Sequence, residues 1–256
     1  MVFRDIPLLE YDPDRISVIN PIFEFDSINV PERCIIPFYG SLLTEFEQLG
    51  HLHELVSFDS TVIAGIQLYE MHYKEESIAV MSPGFGAPFA AGNLELAIAM
   101  GCKKFIVIGS GGVLDAAIAR NKLIILSSAI RDEGTSYHYI PASREVEANH
   151  EMTKIIQDYL EKKHVDHLLG KTWTTDAFFR ETPNKIKARK AEGAICVEME
   201  AAALMAVAQF RNVQLGFILA AGDDVSGLTW DQRLQTKNAS FPERFFWLAA
   251  DICLTL

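Results

Sequence analysis

Short runs of almost wholly apolar residues recur along this chain, and they restrict its fold more than any other feature. Thr61-Val-Ile-Ala-Gly-Ile, Ser77-Ile-Ala-Val-Met, Phe105-Ile-Val-Ile, Leu123-Ile-Ile-Leu and Leu215-Gly-Phe-Ile-Leu-Ala read as strands buried on both faces of a sheet. Neither face of such a strand tolerates polar side chains, so the usual alternation is lost. Helical patterns lie between them. Leu94, Leu96, Ala97, Ile98 and Met100 run up to Gly101, a fitting C-terminal stop. Arg144 to Lys163 reads as one long amphipathic helix, Met199 to Phe210 as an Ala- and Met-rich core helix, and Phe241 to Leu256 as a closing apolar helix. Repeated alternation of strand and helix predicts an α/β fold of three layers, with a central mixed, largely parallel sheet flanked by helices.

Residues 1–256 carry no repeat, low-complexity tract or linker, and are expected to form one domain. Residues 1–33, rich in Pro and Asp, are expected to drape over the sheet, and Asp223 to Thr236 to form a surface loop at a strand end. A net charge of −11 without a concentrated Lys/Arg surface argues against a nucleic-acid partner. No apolar run approaches the ~20 residues of a membrane helix. The four cysteines, Cys34, Cys102, Cys196 and Cys253, are far apart and show no metal-binding spacing. They read as buried thiols of a reducing compartment, and a cytoplasmic location without metal is expected.

In α/β sheets, ligands collect beyond the carboxyl ends of the strands. Four segments follow apolar runs in this way. Gly109-Ser110-Gly111-Gly112 reads as a small-residue turn, either an anion site or a turn with no ligand. Without a Gly-Lys-Ser/Thr sequence it is not a triphosphate loop. Gly84-Phe-Gly86 with Phe89 is a broken dinucleotide fingerprint, lacking the third small residue and the following acid. Val197-Glu198-Met199-Glu200 opens the Ala-rich helix. One of its carboxylates suits a ribose diol, although acids are also common at helix N-termini. Gly222-Asp223-Asp224 ends an apolar run and offers either a proton donor or ordinary turn chemistry.

In their order these segments resemble the nucleoside phosphorylase family, which includes purine nucleoside phosphorylase, uridine phosphorylase and methylthioadenosine nucleosidase. Gly84-Phe-Gly-Ala-Pro resembles its early Gly-x-Gly-x-Pro turn and Ile106 to Gly112 its phosphate strand. Ala129-Ile-Arg-Asp-Glu-Gly-Thr-Ser-Tyr-His-Tyr resembles the segment that in uridine phosphorylases reads Arg-Leu-Asp-Gly-Ala-Ser, and Thr175-Asp-Ala-Phe the base-stacking loop. Val197-Glu-Met-Glu-Ala-Ala-Ala is the most specific match.

The resemblance implies a pentosyltransferase that cleaves an N-glycosidic bond, with inorganic phosphate as co-substrate and no cofactor. Glu200 would grip the sugar hydroxyls with Glu198 beside it, Met199 would pack under the sugar, and Phe178 would stack on the base. Asp223 would protonate or hydrogen-bond a purine. Ser110 with the amides of Gly109 and Gly111 would face the attacking anion, near Gly40. A homo-oligomer, a dimer or a trimer of dimers, is also implied.

Departures qualify this reading. Val107 stands where the family's phosphate Arg is expected, and Pro37-Phe-Tyr-Gly-Ser-Leu replaces an Arg-bearing loop. Arg131, Arg33 or a residue of a neighbouring subunit is a candidate substitute, hydrolysis by water is the alternative reaction, and a non-catalytic nucleoside-binding relative is the third reading. Thr182 and Asn184 replace the Gln and Arg that read uracil, which favours a purine over a uridine-type base. No His precedes His51 to meet a sugar 5′-hydroxyl, and His138 is either a pocket residue or a structural one.

Overall fold

A computed structural model describes residues 4–21, 29–58, 66–236 and 238–256. Among the described residues there are ten strands and six α-helices. In chain order they are β1 (Arg33–Pro37), α1 (Gly40–Gln48), β2 (His53–Phe58), β3 (Ile66–Tyr73), β4 (Glu76–Met81), α2 (Ala87–Met100), β5 (Lys104–Val113) and β6 (Leu123–Asp132). After them come β7 (Glu145–Glu147), α3 (His150–Lys162), β8 (His167–Thr175), α4 (Pro183–Ala191), β9 (Ala194–Glu198), α5 (Ala201–Arg211), β10 (Gln214–Asp224) and α6 (Phe241–Cys253).

The strands form one mixed sheet in the order β10-β6-β8-β9-β5-β1-β4-β3-β2, with β7 beside β6. Because β10 also pairs with β5 in parallel, the strands β10, β6, β8, β9 and β5 close into a ring, and β1 to β4 extend from it. Alternate side chains of the central strands feed two cores. Val107 and Phe217 join the layer made by α2 and α5, whereas Ile106, Ile108 and Ile218 face α1, α3 and α6. This strict period of two, with both faces covered, is why the runs are almost wholly apolar.

Most expected elements are present, with four corrections. The pattern at 144–163 is not one helix. Glu145–Glu147 pairs with β6, and the side chain of Asn149 accepts from the N–H of Met152 at 3.0 Å to start α3. The Gly109–Gly112 segment is not a turn but the continuation of β5. Its glycines answer close approach: a Cβ on Gly111 would lie 2.7 Å from the Val197 carbonyl oxygen, where β9 crosses β5. Residues 223 and 224 complete β10, and only the following stretch is a surface loop, tied back by an Asp224–Asp231 bridge. The described N-terminal residues lie on loop and helix ends rather than over the sheet: Arg15 sits above the Phe210 ring at the end of α5 with its carbonyl accepting from Arg211, and Leu8 lies beside Gly134 after β6. Of the apolar run at 61–66, all but Ile66 falls outside the described residues. All four cysteines are free and buried, as expected. Among the described residues no helix is long and apolar enough to cross a membrane, and no cluster of metal-ligating side chains occurs.

Candidate active site

The ends of β5, β8, β9 and β10 converge where the ring closes, and four acids there, Glu198, Glu200, Asp223 and Asp224, have separate duties. Glu198, the last residue of β9, is 8% exposed and saturated. Its Oε2 accepts from the N–H groups of Glu200 (2.7 Å) and Ala201 (2.5 Å), and its Oε1 from the hydroxyls of Thr174 (2.6 Å) and Thr172 (3.3 Å). It therefore caps α5, helped by Thr174 Oγ1, which accepts from the N–H of Ala202. Burial and the charge of Glu200 push the Glu198 carboxyl up to about 7, against the pull of its donors.

That capping leaves Glu200 free for other work. It occupies the N-cap position of α5 without capping it. Instead its Oε1 accepts from the N–H of Gly86 at 2.7 Å, and no hydrogen bond reaches Oε2 among the described residues. At 7% exposure it is held inside the protein, and burial raises its pKa against the pull of the Gly86 and Met199 N–H groups. Gly86 is able to aim its N–H this way because its φ is +86°, a region that L side chains rarely adopt. Met199 follows between the two acids, in the turn from β9 to α5.

The turn before α2 that holds Gly86 also presents Phe85, whose ring meets Phe178 edge-on with centroids 6.4 Å apart, while the ring centroids of Phe178 and Phe179 are 4.1 Å apart. Phe178 stands on a short 3-10 turn just after β8 and is 44% exposed, an available aromatic face near the buried Glu200.

Asp223 and Asp224 separate cleanly. Between Ala221 and Asp224 the register of β10 slips by one residue against β5, so Gly222 and Asp223 form a bulge. Bulges re-aim side chains at sheet rims. Asp224 is committed: it caps the N–H of Ser226 and pairs with Arg233 at 3.1 Å, which together hold its pKa low despite burial. Among the described residues, Asp223 hydrogen-bonds only the indole N–H of Trp230, at 2.5 Å. Glu181, at the end of the Phe178 turn, is pushed up to about 7 by burial and by the charge of Asp223, so the two carboxyls share one neighbourhood.

Ser110 faces a cavity of about 390 Å³ that it shares with Tyr39, Ser41, Arg120 and Asp223. Gly109 accepts at its carbonyl from the Tyr39 hydroxyl at 3.0 Å, and Gly40 begins α1 beside that tyrosine. Gly111 faces Val197 instead, at the strand crossing.

Arg131 is placed elsewhere than expected. Its guanidinium is 4% exposed and spent on Ser136, Ile140, Pro141 and Ser143, holding the loop after β6. Arg33 sits at the start of β1, the far end from the site, paired with Glu76. Thr182 caps α4, Asn184 lies exposed in its first turn, and His138 lines a separate cavity with Phe89 and Phe210. Sequence reasoning missed Phe85, Glu181, Trp230 and Arg120. Only Phe85 carried a local signal, as an aromatic between two glycines.

The model of the phosphorylase superfamily matches residues 33–243 of the chain. This protein belongs to the phosphorylase superfamily. It is 29% identical to a uridine phosphorylase of Treponema pallidum over 183 residues, covering 67% of each chain. It is 27% identical to a guanosine phosphorylase of Halorubrum lacusprofundi, covering 73% of this chain and 78% of that one. In fold it is similar to purine nucleoside phosphorylase from Toxoplasma gondii in complex with immucillin-H, with a TM-score of 0.75, 18% identity and coverage of 88% and 90%. The AMP nucleosidase of Bacteroides thetaiotaomicron is similar in fold as well, with a TM-score of 0.70, 20% identity and 89% of each chain covered. The superfamily membership implied by the ordered motifs thus holds.

Proposed function

We propose that this superfamily member is a nucleoside phosphorylase that transfers the ribosyl group of a purine nucleoside to inorganic phosphate. One observation carries the reading: of the acids at the strand ends, Glu198 and Asp224 are consumed by the protein, whereas Glu200 and Asp223 keep acceptor capacity. Glycosidic cleavage builds positive charge on the sugar and negative charge on the departing base. Glu200 accepts from the sugar diol and stabilises the first, and Asp223 donates to or hydrogen-bonds the base and relieves the second. Phe178 covers the base, Met199 underlies the sugar, and Ser110 with its neighbouring backbone orients the phosphate.

The purine preference rests on Asp223 at the bulge and on Thr182 being committed to capping α4 rather than to a base. Relatives of both base classes occur, so the base is a property of this pocket and not of the family. A second reading, hydrolysis by water, is favoured by Val107, which is 0% exposed and packs into the α2/α5 core where the family's phosphate Arg is absent.

A panel of inosine, guanosine, adenosine and uridine, assayed for base release with and without phosphate, tests all of this. Purine release that depends on phosphate is expected. Equal rates without phosphate would make the protein a nucleosidase, and release from uridine alone would overturn the purine assignment.

A further inference from the structure

Phosphate is a doubly charged ligand, and a site for it normally holds a guanidinium that grips two oxygens at once. The arginines suggested by sequence are unsuited to this: Arg131 is consumed by its own loop and Arg33 lies at the wrong end of β1. The cavity beside Ser110 contains a different one. Arg120 lies on the connection from β5 to β6 and lines the same cavity as Ser110 and Ser41. Its Nη1 donates to the carbonyl oxygens of Gln232 (2.9 Å) and Arg233 (3.1 Å), which fix the guanidinium along one edge. Among the described residues its other nitrogens have no hydrogen-bond partner, and no carboxylate lies within ion-pair distance. The charge of Arg120 also reaches Tyr39, whose phenol is raised by burial and partly lowered by that guanidinium. Tyr39 in turn donates to the Gly109 carbonyl, so the cation stands beside the strand segment that carries Ser110.

We propose that Arg120 supplies the cationic arm of the anion subsite, holding inorganic phosphate against the hydroxyls of Ser110 and Ser41 from the β5–β6 connection. The free edge of the guanidinium offers a fork of donors, and its fixed edge lowers the entropy lost on binding. Asp223, which lines the same cavity, accepts from the Trp230 indole N–H and forms no ion pair with this cation among the described residues. The inference deepens the phosphorylase reading and rests on it for the role of the bound anion.

The test separates binding from turnover. Inorganic phosphate is titrated calorimetrically into the nucleoside-free protein, and the KM values for phosphate and nucleoside are measured, for wild type, Arg120→Met and Arg120→Lys. Arg120→Met is expected to weaken phosphate about 10- to 100-fold, with the nucleoside KM within about 3-fold, as for loss of one charge-assisted contact. Arg120→Lys, which keeps the charge but not the fork, should fall between. Wild-type affinity in a folded Arg120→Met overturns the assignment. If that variant fails to melt cooperatively, undiminished phosphate binding by Arg120→Lys and by Ser110→Ala together overturns it. Phosphate binding that depends on Arg120, combined with base release that needs no phosphate, keeps the subsite and sinks the phosphorylase reading instead. No phosphate binding by the wild type sinks the subsite.

Discussion

The N–H of Gly86 donates to Oε1 of Glu200 at 2.7 Å, across 114 residues of chain. The bond ties the turn before α2 to the N-terminus of α5, and it sets the orientation of Glu200, which unlike Glu198 does not cap that helix. Glu200→Gln keeps an acceptor for Gly86 but loses the charge that faces the sugar. It is expected to lower kcat/KM about 10- to 100-fold, because a hydrogen bond to a charged group contributes about 1.5–3 kcal/mol. Nucleoside kinetics beside a thermal melt check this. An unchanged kcat/KM would remove Glu200 from the site.

The neighbouring aspartates should respond oppositely. Asp223→Asn is expected to reduce kcat by about 10²–10⁴-fold with little change in KM, the usual contribution of a general acid. Asp224→Asn breaks the pair with Arg233 and the cap on Ser226, so it should cost about 1–3 kcal/mol of stability. Steady-state kinetics and denaturant melts on both variants distinguish them. Swapped phenotypes would reverse the assignment.

Arg131 should behave as a fold residue. Arg131→Met leaves the carbonyls of Ile140 and Pro141 and two hydroxyls without their donor, at a cost of about 2–4 kcal/mol. A lowered Tm with an unaltered phosphate KM is the expected result. A tenfold rise in that KM at full stability would return Arg131 to the anion site.

Glu198 predicts a pH dependence of stability. Its carboxyl sits at about 7 in the folded protein against an ordinary 4.5. Between those values the native chain holds a proton that the unfolded chain has released. Stability from this group is therefore fully present below pH 4.5, declines as pH rises towards about 7, and is level above it. Glu198→Gln, which cannot titrate, should show a shallower loss of Tm across that interval. Parallel curves for variant and wild type would contradict the raised pKa.

The layer architecture was legible because it follows from local pattern. Runs such as Phe105–Ile108 and Leu123–Leu126 contain only apolar residues, and they form strands covered on both faces. Gly101 does end α2, with a φ of +120°. Site residues at strand ends were legible for the same reason. Where two local rules competed, the longer-range one prevailed: Val146 satisfied a helical pattern at 144–163 but was taken by pairing with β6.

What the sequence by itself determined is the α/β layering, the superfamily, and the acids and aromatic that follow the strands, because each depends on neighbours within a few residues. What only the tertiary structure decided is how the polar groups are shared out. Glu198 caps while Glu200 stays free, Asp224 pairs while Asp223 is turned out by a bulge, and Arg131 is spent on a loop while Arg120 keeps donors to spare. A side chain's chemistry is written in its type, but its availability depends on partners that the fold brings from distant parts of the chain.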